Sequence, residues 1–242
     1  MAKSKIEWLD GGKTWNPATG CTPVSPGCEN CYAAVMARRL QAMGQEKYRD
    51  GFKVTFHPDE LEKPLHWKKP QKIFVCSMGD LFHEDAPFDY VDHVMDIIRQ
   101  TPQHTYHILT KRVRRMQEYC FSCYTPNNIW WGITICNQME ADEKIGTLFG
   151  LPHYPHPKML FVSIEPMLTE IHLHARSVKW IDWIIVGGET GANARPMNPD
   201  WARAIRDQCR AAGTPFFFKQ MSGRQPIPAD LNIREFPKKG EQ

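Results

Sequence analysis

Three thiols carry the first chemical signal in the chain: Cys21, Cys28 and Cys31, at a C-x6-C-x2-C spacing. Asn16-Pro17, Thr19-Gly20, Pro23 and Pro26-Gly27 keep residues 16–32 out of helix and strand, so this segment reads as a loop able to wrap round a ligand. An Ala-rich helix carrying Ala33, Ala34, Ala37 and Ala42 follows at once, with Gly44 as its stop. Thiolates just ahead of a helix N-terminus suit a metal centre, because the helix dipole favours negative charge there. Three ligands are one short of a closed tetrahedral site. A four-iron cluster held by three cysteines keeps one iron open to a ligand that is not protein. A second assignment joins Cys28-x2-Cys31 to Cys120-x2-Cys123 as a four-thiolate zinc site, which leaves Cys21 unused. Taken alone, Cys120 and Cys123 read as free thiols at a helix end. Cys76 and Cys136 read as small buried strand residues that could donate a hydrogen atom if they point inward.

Each short apolar run further along ends in reactive or polar side chains. These ends are Ser77-Met78-Gly79-Asp80, Thr110-Lys111-Arg112, Thr134 to Asn137, Glu165, Gly188-Glu189 and Lys219-Gln220. Loops are polar in general, which accounts for an isolated Ser or Asn. It accounts less well for Glu-Pro or Lys-Gln placed straight after Ile or Phe runs. In α/β barrels the active site lies at the carboxyl ends of the strands, so such ends converging on the cysteine loop point to a site. His57, His83, His104 and His107 share no ligand spacing and read as structural or exposed.

The elements that must position these residues alternate. A short strand ends near Asn16, and apolar runs at 73–77, 104–110, 129–135, 159–164, 183–186 and 215–218 follow. Pro87 opens a helix with Phe88, Val91, Met95 and Ile98 on one face. A basic helix follows Thr110, and a third, capped by Asn198 with Pro199 next, sets Trp201, Ile205 and Cys209 on one side and stops at Gly213. Strands alternating with helices imply parallel pairing and an α/β class. Residues 45–70 are charged and proline-dotted and read as an irregular surface crossover; about 221–242 form a C-terminal tail.

At 242 residues and 42% hydrophobic content, residues 1–242 suffice for a single domain with a large core. The net charge of +3 is too small to demand a polyanion. The cations are nonetheless clustered, at Lys63 to Lys72 around Trp67 and at Lys111 to Arg115. Trp67 among lysines would set an aromatic face beside phosphate-binding charges. No apolar run is long enough to cross a membrane, and Met-Ala-Lys-Ser is no signal peptide, so a cytoplasmic location is expected. In that reducing compartment, clustered thiols serve metals or catalysis rather than disulfides.

Thr14-Trp15-Asn16-Pro17…Thr19-Gly20-Cys21…Ser25…Gly27-Cys28…Cys31-Tyr32-Ala33 resembles a phage-associated, largely uncharacterised branch of the radical S-adenosylmethionine (SAM) superfamily. So do Asp80-Leu81-Phe82-His83, Leu109-Thr110-Lys111-Arg112, Ser163-Ile164-Glu165-Pro166, Gly187-Gly188-Glu189 and Phe217-Phe218-Lys219-Gln220. The usual superfamily motif is C-x3-C-x2-C, so this chain carries three extra residues in the first gap. The resemblance implies a single-domain partial or near-complete parallel (β/α) barrel. It further implies a four-iron four-sulfur cluster on Cys21, Cys28 and Cys31, with SAM bound to the open iron through its amino and carboxylate groups. One electron, from a carrier such as a flavodoxin or ferredoxin, would cleave the sulfonium and release a 5′-deoxyadenosyl radical that takes hydrogen from substrate.

By order along the chain, Ser77 and Asp80 occupy the place of the superfamily's Gly-Gly-Glu motif and are expected at the SAM amino group. Lys111 or Arg112 is expected at its carboxylate and Thr110 at its ribose. Glu165, Glu189, Arg195, Lys219 and Gln220 fall on the substrate side, with Cys136 a potential hydrogen-atom donor. The expected substrate is a nucleobase derivative, in particular a modified thymine in phage DNA or its nucleotide, flipped out of a duplex to reach the barrel. The competing reading is a zinc-stapled nucleic-acid-binding protein without catalysis.

Overall fold

β-branched and aromatic runs bounded by turn residues form the strands, and the segments between them fold back as helices. The structure, a computed structural model, describes residues 4, 6–152, 159–223 and 225–237. The first three residues and, within the expected tail, residues 224 and 238–242 lie outside the described ones. In chain order the elements are β1 (Lys13–Trp15), β2 (Ala18–Thr19), α1 (Tyr32–Ala42), β3 (Thr55–Phe56), α2 (Pro58–Leu61), β4 (Lys72–Val75), α3 (Phe88–Gln100) and β5 (Thr105–Thr110). There follow α4 (Val113–Ser122), β6 (Ile129–Ile135), α5 (Gln138–Phe149), β7 (Met159–Ile164), α6 (Ala175–Trp180), β8 (Trp183–Val186), α7 (Pro199–Ala212) and β9 (Phe216–Phe218).

Seven strands make one sheet in the order β1-β4-β5-β6-β7-β8-β9, and every neighbouring pair is parallel. Strand order that follows chain order, with helical crossovers on one face, is a partial (β/α) barrel. Residues 45–70 form the crossover into β4 and supply β3, which pairs antiparallel with β2. The caps follow the sequence: the Asn198 side chain accepts from the Asp200 amide at 3.0 Å, and Gly213 closes α7 at φ 76 in the left-handed region. The described part of the tail returns beside β9, where the Phe218 amide donates to the Ile233 carbonyl at 2.9 Å and covers that edge.

Side chains alternate across the sheet. Val75, Ile108, Trp131, Ile133, Val162, Ile184 and Phe218 face outward into the main core, with Val91, Met95, Met116, Leu148 and Ile205 of the helices. Phe74, Phe161, Trp183, Ile185 and Phe217 face inward and pack with Trp8 and Leu9 from the N-terminal segment. This inner cluster is an aromatic floor: the Trp8 ring lies 5.0 Å from Phe74 and 6.2 Å from Trp183, centroid to centroid. His107 belongs to the floor, 4.8 Å from the Trp130 ring, and burial pushes its pKa down to about 3, so it is a neutral, structural histidine.

Gly132 makes room for this floor, because a Cβ there would stand 2.2 Å from Cζ of the Phe161 ring. Gly132→Ala is expected to destabilise the fold by about 1–3 kcal/mol, as overpacking of a filled core does. Thermal unfolding measures it, and an unchanged midpoint would show that the floor yields.

Candidate active site

The chain leaves β1 into the cysteine loop at the carboxyl ends of the strands, opposite the aromatic floor. That is the open end of the partial barrel. Strand parity decides which residues rise from the floor to the mouth. β7 carries Phe161, Ser163 and then Glu165 up its inner face, while β9 carries Phe217 and then Lys219. On β6 the same face runs Trp130, Gly132, Thr134 and Cys136.

The first half of the cysteine loop is tied to the ends of β4 and β5. Asn16 Oδ1 accepts from the Met78 amide at 3.0 Å and from Ser77 Oγ at 3.2 Å. Arg112 donates from Nη1 to Cys21 Sγ at 3.2 Å and to Asp80 Oδ2 at 3.3 Å. It also donates from Nη2 to the Thr22 carbonyl at 3.0 Å and hydroxyl at 3.1 Å, and from Nε to Glu84 at 2.7 Å. All five guanidinium hydrogens are thereby engaged. Asp80, itself buried, accepts from the Thr110 hydroxyl at 2.7 and 2.9 Å and from the amides of Phe82 at 3.0 Å and Lys111 at 3.3 Å. Thr22 Oγ1 pairs with His83 Nε2 at 2.8 Å. Burial, and after it the Asp80 charge, pushes the Cys21 thiol up to about 11, with Arg112 pulling the other way.

The second half is tied to β6 and β8. Glu189 is buried and accepts from Asn30 Nδ2 at 2.9 Å and from Arg195 at 2.6 Å, and Arg195 reaches on to Glu29 at 2.8 Å and the Pro26 carbonyl at 2.9 Å. Burial opposes ionisation of Glu189, yet the Arg195 and Asn30 donors outweigh it and hold the carboxyl below its ordinary pKa. Cys136, on the inner face, is fully buried under the loop, with Sγ 3.5 Å from Ser25 Oγ. Cys76 leaves β4 with a left-handed φ of 54 and joins the outer core.

What faces the mouth is a smaller set. Glu165 Oε1 accepts from Lys219 Nζ at 2.5 Å and from Gln220 Nε2 at 3.0 Å, and the two charged side chains remain 22% and 24% exposed. Tyr32, one residue past Cys31, has 53% of its surface exposed while its hydroxyl turns in to donate to the Ser77 carbonyl. Burial, then the Glu165 charge, raises the pKa of that hydroxyl. The Lys111 ammonium has no ion pair among the described residues, whereas Arg114 pairs with Glu143 and Arg115 donates to the His83 and Ala86 carbonyls.

Of the residues singled out from sequence, Cys21, Cys28, Cys31, Ser77, Asp80, Thr110, Lys111, Arg112, Cys136, Glu165, Glu189 and Lys219 do gather at this end of the sheet. Arg112 and Glu189 direct their polar atoms at the cysteine loop, while Asp80 and Thr110 bond one another and seat Arg112. Asn16, Thr22, Asn30, Tyr32, His83 and Glu84 join them; of these, Asn16 before a proline, Tyr32 beside Cys31 and His83 at the end of Asp80-Leu81-Phe82-His83 carried a signal in sequence.

Two expectations are corrected. Trp67 is only 7% exposed, with Lys13 Nζ 4.4 Å above its ring, so it offers no free stacking face. Its lysines lead into β4 at Lys72, at the opposite end of the sheet from the mouth. Nor does the proposed zinc set come together. α4 runs back from the mouth for ten residues, about 15 Å, and carries Cys120 and Cys123 to the far end. Among the described residues no group of three or more His, Cys, Asp or Glu could hold a single metal ion.

The loop does fit an iron–sulfur cluster. Its three thiols are half-buried and free, and those of Cys28 and Cys31 have no hydrogen-bond partner among the described residues. A cluster distributes its thiolates over separate irons, so they stand farther apart than the ligands of one ion.

Among solved structures, the fold is similar to two cysteine mutants of spore photoproduct lyase. One aligns at TM-score 0.52 and 10% identity over 89% of this chain and 78% of that one. The other aligns at TM-score 0.50 and 10% identity over 83% and 75%. Likeness at this identity is one of fold. No curated protein matches the sequence. No helix among the described residues is long and apolar enough to cross a membrane. The family model described as "Protein of unknown function (DUF5131)" matches residues 3–236, and the chain belongs to that family.

Proposed function

We propose that this protein is a radical SAM enzyme that modifies a nucleobase. The observation that carries the reading is the cysteine loop: three half-buried free thiols are held over the open end of a partial barrel, across from an accessible Glu165–Lys219 pair. The neighbour in fold, spore photoproduct lyase, by its name acts on a photoproduct, and the radical SAM reading itself comes from the motif resemblance. When bound, the cluster and SAM supply one-electron cleavage of a sulfonium and with it a carbon radical able to take a hydrogen atom from substrate.

The chain's own residues do the rest. Cys21, Cys28 and Cys31 hold the cluster, and the Arg112–Asp80 and Arg195–Glu189 pairs fix the loop on either side of it. Ser77 and Lys111 are left to meet the polar groups of SAM. Glu165, with Lys219 and Gln220 on one of its oxygens, keeps the second oxygen for a substrate N–H or hydroxyl and can take or return a proton there. The Trp8 floor keeps water from entering behind the site. The substrate we assign is a modified thymine in phage DNA or its nucleotide, in line with the phage-associated branch the motifs resemble, and the electron donor a flavodoxin or ferredoxin.

The test is to incubate anaerobically reconstituted protein, unlabelled SAM and reductant with deuterated phage-type DNA and with deuterated free nucleosides. The digests are then compared by mass spectrometry. A new nucleoside, with deuterium moving from its parent base into 5′-deoxyadenosine, is expected. Deuterium arriving only from a peptide or a small metabolite would overturn the substrate; stoichiometric zinc without labile sulfide would end the radical reading.

A further inference from the structure

We propose that Arg112 is the residue that tunes the cluster's reduction potential, through its charged N–H donated to Cys21 Sγ at 3.2 Å. This rests on the cluster reading above. Among the described residues, Cys21 is the one cluster thiol that takes a hydrogen bond from a cation; none reaches Cys28 or Cys31. The Arg112 side chain is 4% exposed, so solvent and salt screen its charge little. A charge-assisted N–H···S bond draws electron density from the thiolate and favours the reduced, more negative cluster, which raises its potential. The guanidinium fork suits this task, since one planar group grips Cys21, the Thr22 backbone and two carboxylates at once. A residue with all five donors so engaged has none left for the SAM carboxylate, which falls to Lys111.

The two carboxylates set how much of that positive charge Cys21 feels. Asp80 is buried at 3.3 Å, while Glu84 stands at 2.7 Å with its side chain 59% exposed. Glu84 touches no cluster thiol, so neutralising it leaves the loop's hydrogen bonds from Nη1 and Nη2 in place. It should nonetheless increase the field at Cys21. The two substitutions therefore act with opposite sign, which a merely structural brace would not do.

The experiment is an anaerobic redox titration of the reconstituted full chain, followed by the electron paramagnetic resonance signal of the reduced cluster, on the native protein, Arg112→Gln and Glu84→Gln. Arg112→Gln is expected to lower the reduced-to-oxidised ratio at fixed potential on the order of tenfold, a downward shift of about 59 mV for one electron. Glu84→Gln is expected to move the midpoint upward. If Arg112→Gln fails to retain iron, the sign of the Glu84→Gln shift decides. Native midpoints in both variants, with about four irons per chain, overturn the inference and leave the cluster reading standing. A native chain that takes up no iron and sulfide overturns both.

Discussion

Anaerobic reconstitution is expected to give a brown protein with about four irons per chain, and replacing Cys21, Cys28 or Cys31 by Ala is expected to abolish the colour in each case. On the proposed reading each thiolate would be the sole protein ligand of one iron, so its loss would expose a second iron to water when one is already open. The fold should survive these substitutions. The loop is held by Arg112 on Thr22 and by Arg195 on the Pro26 carbonyl, bonds that no cysteine side chain makes. Circular dichroism should therefore match the native protein while iron and sulfide fall to background. Cys120→Ala and Cys123→Ala should keep the colour, because α4 carries both away from the mouth. Retention of iron by the Cys21 variant, or its loss from the Cys123 variant, would reassign the ligands.

The second large effect is expected at Glu165 and Lys219. Glu165→Gln and Lys219→Met should each lower substrate conversion by roughly 10²–10⁴, the range over which a positioned acid or base contributes. The same variants should still bind the cluster and still form 5′-deoxyadenosine in the absence of substrate, because neither side chain touches the cysteine loop. The pair is only about a quarter exposed, so leaving one partner unpaired should also lower stability by about 1–3 kcal/mol, which thermal unfolding reads separately from conversion. Comparison of 5′-deoxyadenosine release with product formation reads the uncoupling. Equal losses of both would show that the pair serves SAM rather than substrate.

Much of the architecture was legible in the linear chain. Apolar runs of four to seven residues alternating with helical periodicity dictate parallel strands with covering helices. Asn198 and Gly213 mark the ends of α7 because capping is local chemistry. The C-x6-C-x2-C loop was legible only in part: its prolines and glycines shut out long elements, but residues 16–32, expected to lie outside helix and strand, still form the two-residue strand β2 against β3 and one tight 3-10 turn at Pro26–Cys28. That six strand ends face one opening also follows once the strands are parallel, because parallel strands present all their carboxyl ends on one side.

What each of those ends does was decided only by the folded chain. Alternation along a strand says that two faces exist, but the curvature of the sheet chooses which is inside. It turns Cys136 inward beneath Ser25, whereas a left-handed φ of 54 at Cys76 breaks the alternation and sends that side chain into the main core. Asp80, Thr110, Arg112 and Glu189 looked in sequence like ligand-binding groups; in the fold they meet partners far along the chain. Arg112 lies 91 residues from Cys21 and Asn30 lies 159 from Glu189. A buried charge requires a partner, and no local pattern tells whether that partner is a ligand or another loop. Trp67 makes the same point: lysines surround it in sequence, but the packing of the crossover beneath Lys13 removes its ring from solvent. Residue types and spacing set the chemistry available at the mouth. Tertiary closure alone separates the groups that build the cysteine loop's seat from Glu165, Lys219 and Gln220, whose polar atoms still face the opening.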